Sequence, residues 1–85
     1  MISNIQELTK QPALAELLLV LMANKNIYMS TIDLLKNGIL SPAAGIARLK
    51  ERGAIVETIY QSIVDISGRT RKRIACYKIV GGVAL

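Results

Sequence analysis

Apolar positions follow two rhythms along the chain. Between Pro12 and Asn24, Leu14, Leu17, Leu18, Leu21 and Met22 recur at three- and four-residue intervals. With Leu19 and Val20 widening the stripe, the spacing predicts a helix buried around most of its circumference. Ser30 with Asp33 three residues on reads as the capping box of a second helix, with Ile32, Leu34 and Leu35 inward and Asn37-Gly38 as its end. Ser41-Pro42 opens a third helix, Ser41 as N-cap and Pro42 where no N–H is needed, and Arg52-Gly53 closes it. Burying Ile46 and Leu49 turns Ala43, Ala47, Arg48, Lys50 and Arg52 toward solvent, with Ala44 and Gly45 at the boundary. From Ala54 the rhythm shortens to that of strands: Ala54 to Ile66, a two-residue turn at Ser67-Gly68, and a return from Arg69 to Val80. Ile27-Tyr28-Met29 could add a third strand, and Ser3 with Gln6 predicts a short helix from Asn4 to about Lys10.

A two-residue turn fixes the hairpin register, setting Val56 opposite Ile79, Glu57 opposite Lys78 and Thr58 opposite Tyr77. Val56, Tyr60, Ala75, Tyr77 and Ile79 then share the face toward the helices. Arg69, Arg71 and Arg73 fall further out on that same face, a ladder with steps of about 7 Å, close to the spacing of successive phosphates. The competing reading is a solvated tip that keeps the hairpin edge from aggregating. Ile55, Ile59, Ile63, Ile74 and Cys76 occupy the opposite face as an apolar strip, which calls for a partner unless a bulge turns some of them inward.

Length and composition bound what such a chain can do. Its 85 residues make one small domain, divided as a cap segment over 1–11, a folded unit over 12–80 and a flexible tail over 81–85. An apolar fraction of 52% excludes global disorder. Up to Leu40, three lysines balance three acids; from Ser41 on, eight Lys or Arg face Glu51, Glu57 and Asp65, so the whole net charge of +5 lies there. That asymmetry favours a polyanionic partner, nucleic acid before anionic membrane. With no His and only Cys76, the chain lacks the usual zinc ligands and any His-activated nucleophile, so neither enzyme activity nor a cofactor is expected. Cys76 reads as a small apolar filler, and a lone cysteine is compatible with a reducing cytoplasm. The run Leu17 to Met22 is too short to span a bilayer, and no secretion signal is expected.

Two short helices joined by a Gly-containing turn, the second basic, are the layout of a helix-turn-helix. The segments Thr31 to Leu40, Ala43 to Gly53, Ile55 to Thr58 and Ala75 to Ile79 resemble the small winged helix-turn-helix proteins of bacteriophages and prophages. The likeness covers about Ala13 to Val80. It implies an α+β fold of three core helices and a two- or three-stranded wing, acting as a double-stranded DNA-binding regulator. The residues expected at DNA are Ser41, Ala43, Ala44, Ala47, Arg48, Lys50 and Arg52 of the third helix, in the major groove, and Arg69, Arg71, Lys72 and Arg73 of the wing, on the backbone or minor groove. Where such proteins often carry Arg before the buried Ile of that helix, this chain has Gly45. The alternative is a protein adaptor docking through the isoleucine strip, and a homodimer through that strip or the N-terminal segment is a further expectation.

Overall fold

The computed structural model describes residues 11–83, so the helix expected over 4–10 lies outside the described residues. The elements are α1 (Pro12–Ala23), β1 (Met29–Ser30), α2 (Thr31–Lys36), α3 (Pro42–Glu51), β2 (Ile55–Val64) and β3 (Thr70–Gly81). The strands form one antiparallel sheet in the order β1-β3-β2, and the three helices cover one of its faces. This is the α+β arrangement expected, with a third strand that falls at Met29–Ser30.

Local chemistry explains where each helix starts and stops. At Ser30 both halves of the capping box form: its hydroxyl accepts from the Asp33 N–H at 2.9 Å, and its own N–H donates to the Asp33 carboxylate at 3.2 Å. Helices α2 and α3 end by the same device. Ile39 N–H donates to the Leu34 carbonyl and Gly38 N–H to Leu35; Ala54 N–H donates to Leu49 and Gly53 N–H to Lys50. Each reversal needs a left-handed residue, supplied by Gly38 at φ +84° and Gly53 at φ +102°. Ser41 is the N-cap of α3, but its side chain makes no cap bond, contrary to expectation; its backbone at φ −133°, ψ 70° delivers Pro42 into the first turn.

Leu14, Leu17, Leu18 and Leu21 of α1 are buried with Leu34, Ile39, Ile46 and Leu49, and the sheet completes this core with Met29, Tyr77 and Ile79. Each fully buried Leu or Ile contributes about 1.5–3 kcal/mol of transfer free energy. Two expectations fail at the margins. Leu19 is 54% exposed, so α1 is buried on one side only, and Leu35 is 47% exposed because none of the described residues covers that side of α2. Where α1 crosses α3, Leu17 lies against Gly45, and a Cβ there would overlap its side chain. Close helix packing thus favours glycine at position 45, since a side chain there would have to displace Leu17. The tail boundary also moves: Gly81 pairs with Ile55, and Val83 packs on the core.

Ser30 is 2% exposed and anchors the start of the helix-turn-helix. Ser30→Ala should lower stability by about 0.5–2 kcal/mol, read as a shift of the denaturation midpoint; an unchanged midpoint would show that the capping box contributes nothing.

Candidate nucleic-acid interface

Helix α3 presents two rows of short and cationic side chains. Ala43, Ala47 and Lys50, at helical spacing, border a groove whose other wall is Thr58 and Tyr60 of β2 and Tyr77 of β3. Ala44 and Arg48 look the other way, with Ser41 and Leu40, onto a groove of about 460 Å³ bounded by Ala13 and Glu16 of α1. Arg52 is exposed at the helix end. All seven third-helix candidates are therefore solvent-facing, divided between the hairpin side and the α1 side.

At the hairpin the structure departs from the expected register. From Val56↔Ile79 to Gln61↔Ile74 the pairing follows the expectation, but Ile63 faces Arg71 and Val64 faces Thr70. The loop is longer by one residue than foreseen: Asp65 N–H donates to the Arg69 carbonyl, Gly68 N–H donates to the Asp65 carbonyl, and Gly68 closes the turn at φ +84°. The tip and base registers differ by one residue, and a bulge that sets Ser62 against Lys72 and Arg73 absorbs the difference.

That bulge redistributes the cations. Arg71 stands opposite Ile63 and Arg69 opposite Asp65, on the face away from the helices, so the single-face ladder of Arg69, Arg71 and Arg73 does not exist. Arg73, by contrast, adopts φ +56°, a left-handed conformation that costs a non-glycine residue about 1–3 kcal/mol. Its guanidinium comes to lie 6.0 Å from the centroid of the Tyr60 ring, beside the α3 groove. Lys72 is exposed in the same bulge. The helix and the hairpin thus share Lys50, Tyr60 and Arg73 on one side, while Arg69 and Arg71 belong to the other.

Asp65 organises the tip. Its carboxylate accepts from Ser67 N–H at 2.9 Å, Arg69 N–H at 3.0 Å, the Ser67 hydroxyl, and Arg71 Nε at 2.7 Å. Bonds from Ser67 and then Arg71 hold its pKa far below the ordinary carboxylate range. Arg71 therefore has its charge offset within the chain. The sequence reading missed Asp65 and Tyr60. The signal for Asp65 was present, because Asp at the first and Gly at the fourth position of Asp65-Ile66-Ser67-Gly68 is turn chemistry that argues for the longer loop.

On the face away from the helices, Glu57 accepts from the Tyr28 hydroxyl at 2.9 Å and pairs with Lys78 at 3.3 Å, and Lys78 lies 4.5 Å from the Tyr28 ring centroid. The Tyr28 bond and the Lys78 charge lower the Glu57 pKa, and the Glu57 bond raises that of Lys78. The isoleucine strip is narrower than expected: Cys76 is 1% exposed, Ile59, Ile63 and Ile74 are half-buried, and only Ile55 is open. Burial, followed by the nearby Asp33 charge, pushes the Cys76 thiol pKa up, as suits a filler. Among the described residues no cluster of His, Cys, Asp or Glu could hold a metal ion, and no helix is long and apolar enough to cross a membrane.

A family model described as a winged helix-turn-helix domain matches residues 15–81, and the chain belongs to that family. Helices α2 and α3 are its helix-turn-helix and the β2–β3 hairpin its wing. The fold points to DNA as the partner. Neither the curated proteins nor the solved structures compared with the chain include a match.

The Asp65 pKa is depressed in the folded state, so its contribution to tip order is fully present above the unfolded carboxylate value, near 4, and is lost as pH falls through the folded value. NMR titration should find the Ser67 and Arg69 amide shifts unchanged through pH 4, and displaced in Asp65→Asn. A tip that titrates near the ordinary value refutes the brace.

Proposed function

We propose that this chain binds double-stranded DNA through α3 and the α3-facing side of the wing, as a transcriptional regulator of bacteriophage or bacterial genes. The observation that carries the reading is the groove between α3 and the hairpin, lined by Lys50 and Tyr60, with Arg73 of the wing over the Tyr60 ring. A strained backbone at Arg73 supports it, because strain tends to persist where it aims a working side chain. Family membership supports DNA as the partner, and the resemblance noted above supports the phage or bacterial setting.

In this reading α3 lies in the major groove, its alanines allowing close approach, and the cations Arg48, Lys50, Arg52, Lys72 and Arg73 meet phosphates. Base-edge recognition by α3 is confined to Arg48 and Lys50, the only side chains among its groove-facing positions that donate strongly. Binding is therefore sequence-tolerant or modestly specific, dominated by counterion release.

If roughly five phosphates are neutralised, log affinity falls with log salt at a slope near −4 to −5, measured by mobility shift on random duplex; a slope near zero sinks the proposal. Arg73→Gly keeps the left-handed bulge while deleting the cation, and should reduce the slope by about 1. The double change Asp65→Asn, Arg71→Gln, which removes an internally compensated pair, should leave the slope unaltered. Equal effects of the two changes would mean that the wing does not bind through its α3-facing side.

A further inference from the structure

The apex of the wing carries a side chain that phosphate binding does not use. Ile66 is 90% exposed, at a loop position more often filled by Pro, Asp, Asn, Ser or Gly. The loop beneath it is stiff, because the Asp65 carboxylate holds the Ser67 and Arg69 amides and the Arg71 guanidinium together. Val64, 65% exposed, stands just below. Arg69, exposed, leaves the loop on its far side, and Lys72 and Arg73 are exposed in the bulge further down the wing. A solvated tip needs no isoleucine, whereas a tip that separates two stacked base pairs needs both features: an apolar body to fill the opened step, and cations to hold the phosphates beside it.

The reach fits. From Tyr60, in the groove beside α3, to Asp65 is five strand steps, about 17 Å at 3.4 Å per residue. Half of the roughly 34 Å helical repeat is the same length, so a wing laid along the duplex from α3 in a major groove brings its apex over the adjoining minor groove. The molecule is correspondingly long, with extents of 40 × 21 × 19 Å.

We propose that Ile66 is an apolar wedge that enters the minor groove half a turn from α3 and kinks the duplex there. The proposal rests on the DNA-binding reading and adds a mode of engagement to it. It is tested with a short duplex carrying a donor and an acceptor dye at its ends and 2-aminopurine at successive base steps. Wild-type protein should bend the duplex by about 20° or more and raise 2-aminopurine fluorescence at one step. Ile66→Ala should bind with the same salt slope, with neither bend nor fluorescence rise, and Ile66→Phe should restore both. Wild-type protein that binds a duplex left straight and stacked overturns the wedge while leaving DNA binding intact. Failure of wild-type protein to bind at low salt overturns both. An Ile66→Ala change that keeps the bend but abolishes a concentration-dependent dimer overturns the wedge in favour of a protein contact.

Discussion

The register of β3 is the constraint on which the interface depends. A strand has two faces, and shifting its pairing by one residue exchanges them. At the base of the hairpin the choice is made by the core: Tyr77 and Ile79 are buried against the helices, which commits Thr58 and Val56 opposite them to the same side. At the tip it is made by Asp65, whose carboxylate and backbone fix the loop length. These two determinants disagree by one residue within a single strand, and the bulge at Lys72 and Arg73 is where the disagreement is absorbed. The base of the wing therefore belongs to the core and the tip to its own turn. Arg73, at the join, is re-aimed over Tyr60.

What could be read from the sequence was what is decided within a few residues. The capping box at Ser30 and Asp33, the left-handed ends at Gly38 and Gly53, the apolar face of α1 and the inner register of the hairpin all follow from local spacing and local hydrogen bonding. What could not be read depends on neighbours distant in sequence. Leu19 and Leu35 fit an inward pattern yet are left open by the described residues, and the closeness of Leu17 from another helix favours glycine at position 45. The bulge left no signal at its own position, since Arg73 stands left-handed where Gly or Asn is usual; only the turn chemistry at Asp65, which sets the tip register, hinted at it. The single-face arginine ladder failed for that reason alone. Alternation is a sound rule until one residue is inserted, and then every side chain beyond the insertion changes sides.

The same shift changes the electrostatics. The +5 excess is real, but it is not presented as one field. Among the described residues the two ion pairs engage Arg71 with Asp65 and Lys78 with Glu57, both on the face away from the helices. That removes two cations from any account of a polyanion held by α3. Those that remain on or next to the helix side, Arg48, Lys50, Arg52, Lys72 and Arg73, are exposed and spread from the C-terminal half of α3 to the bulge. Such charges act over about a Debye length, near 8–10 Å at physiological salt. A duplex must therefore lie against both elements to feel them together.

Geometry then decides what kind of recognition this surface can support. Three of the exposed positions on α3 are alanines, which offer no donor or acceptor and contact only the methyl group of thymine. With the fourth small residue, Gly45, used up in packing on Leu17, the helix cannot be made specific by substitution there without disturbing the core. In the proposed mode, sequence preference would arise mostly from how readily the duplex deforms, since bending energy depends on the base steps being bent even where no side chain touches them. A stiff wing with Ile66 at its apex is suited to such a readout, because flexible pyrimidine–purine steps open at lower cost than stiff ones. In the proposed mode the division of labour is thus the reverse of a helix that reads bases while a wing steadies it: α3 would position the duplex, and the wing would be the element whose contact depends on sequence.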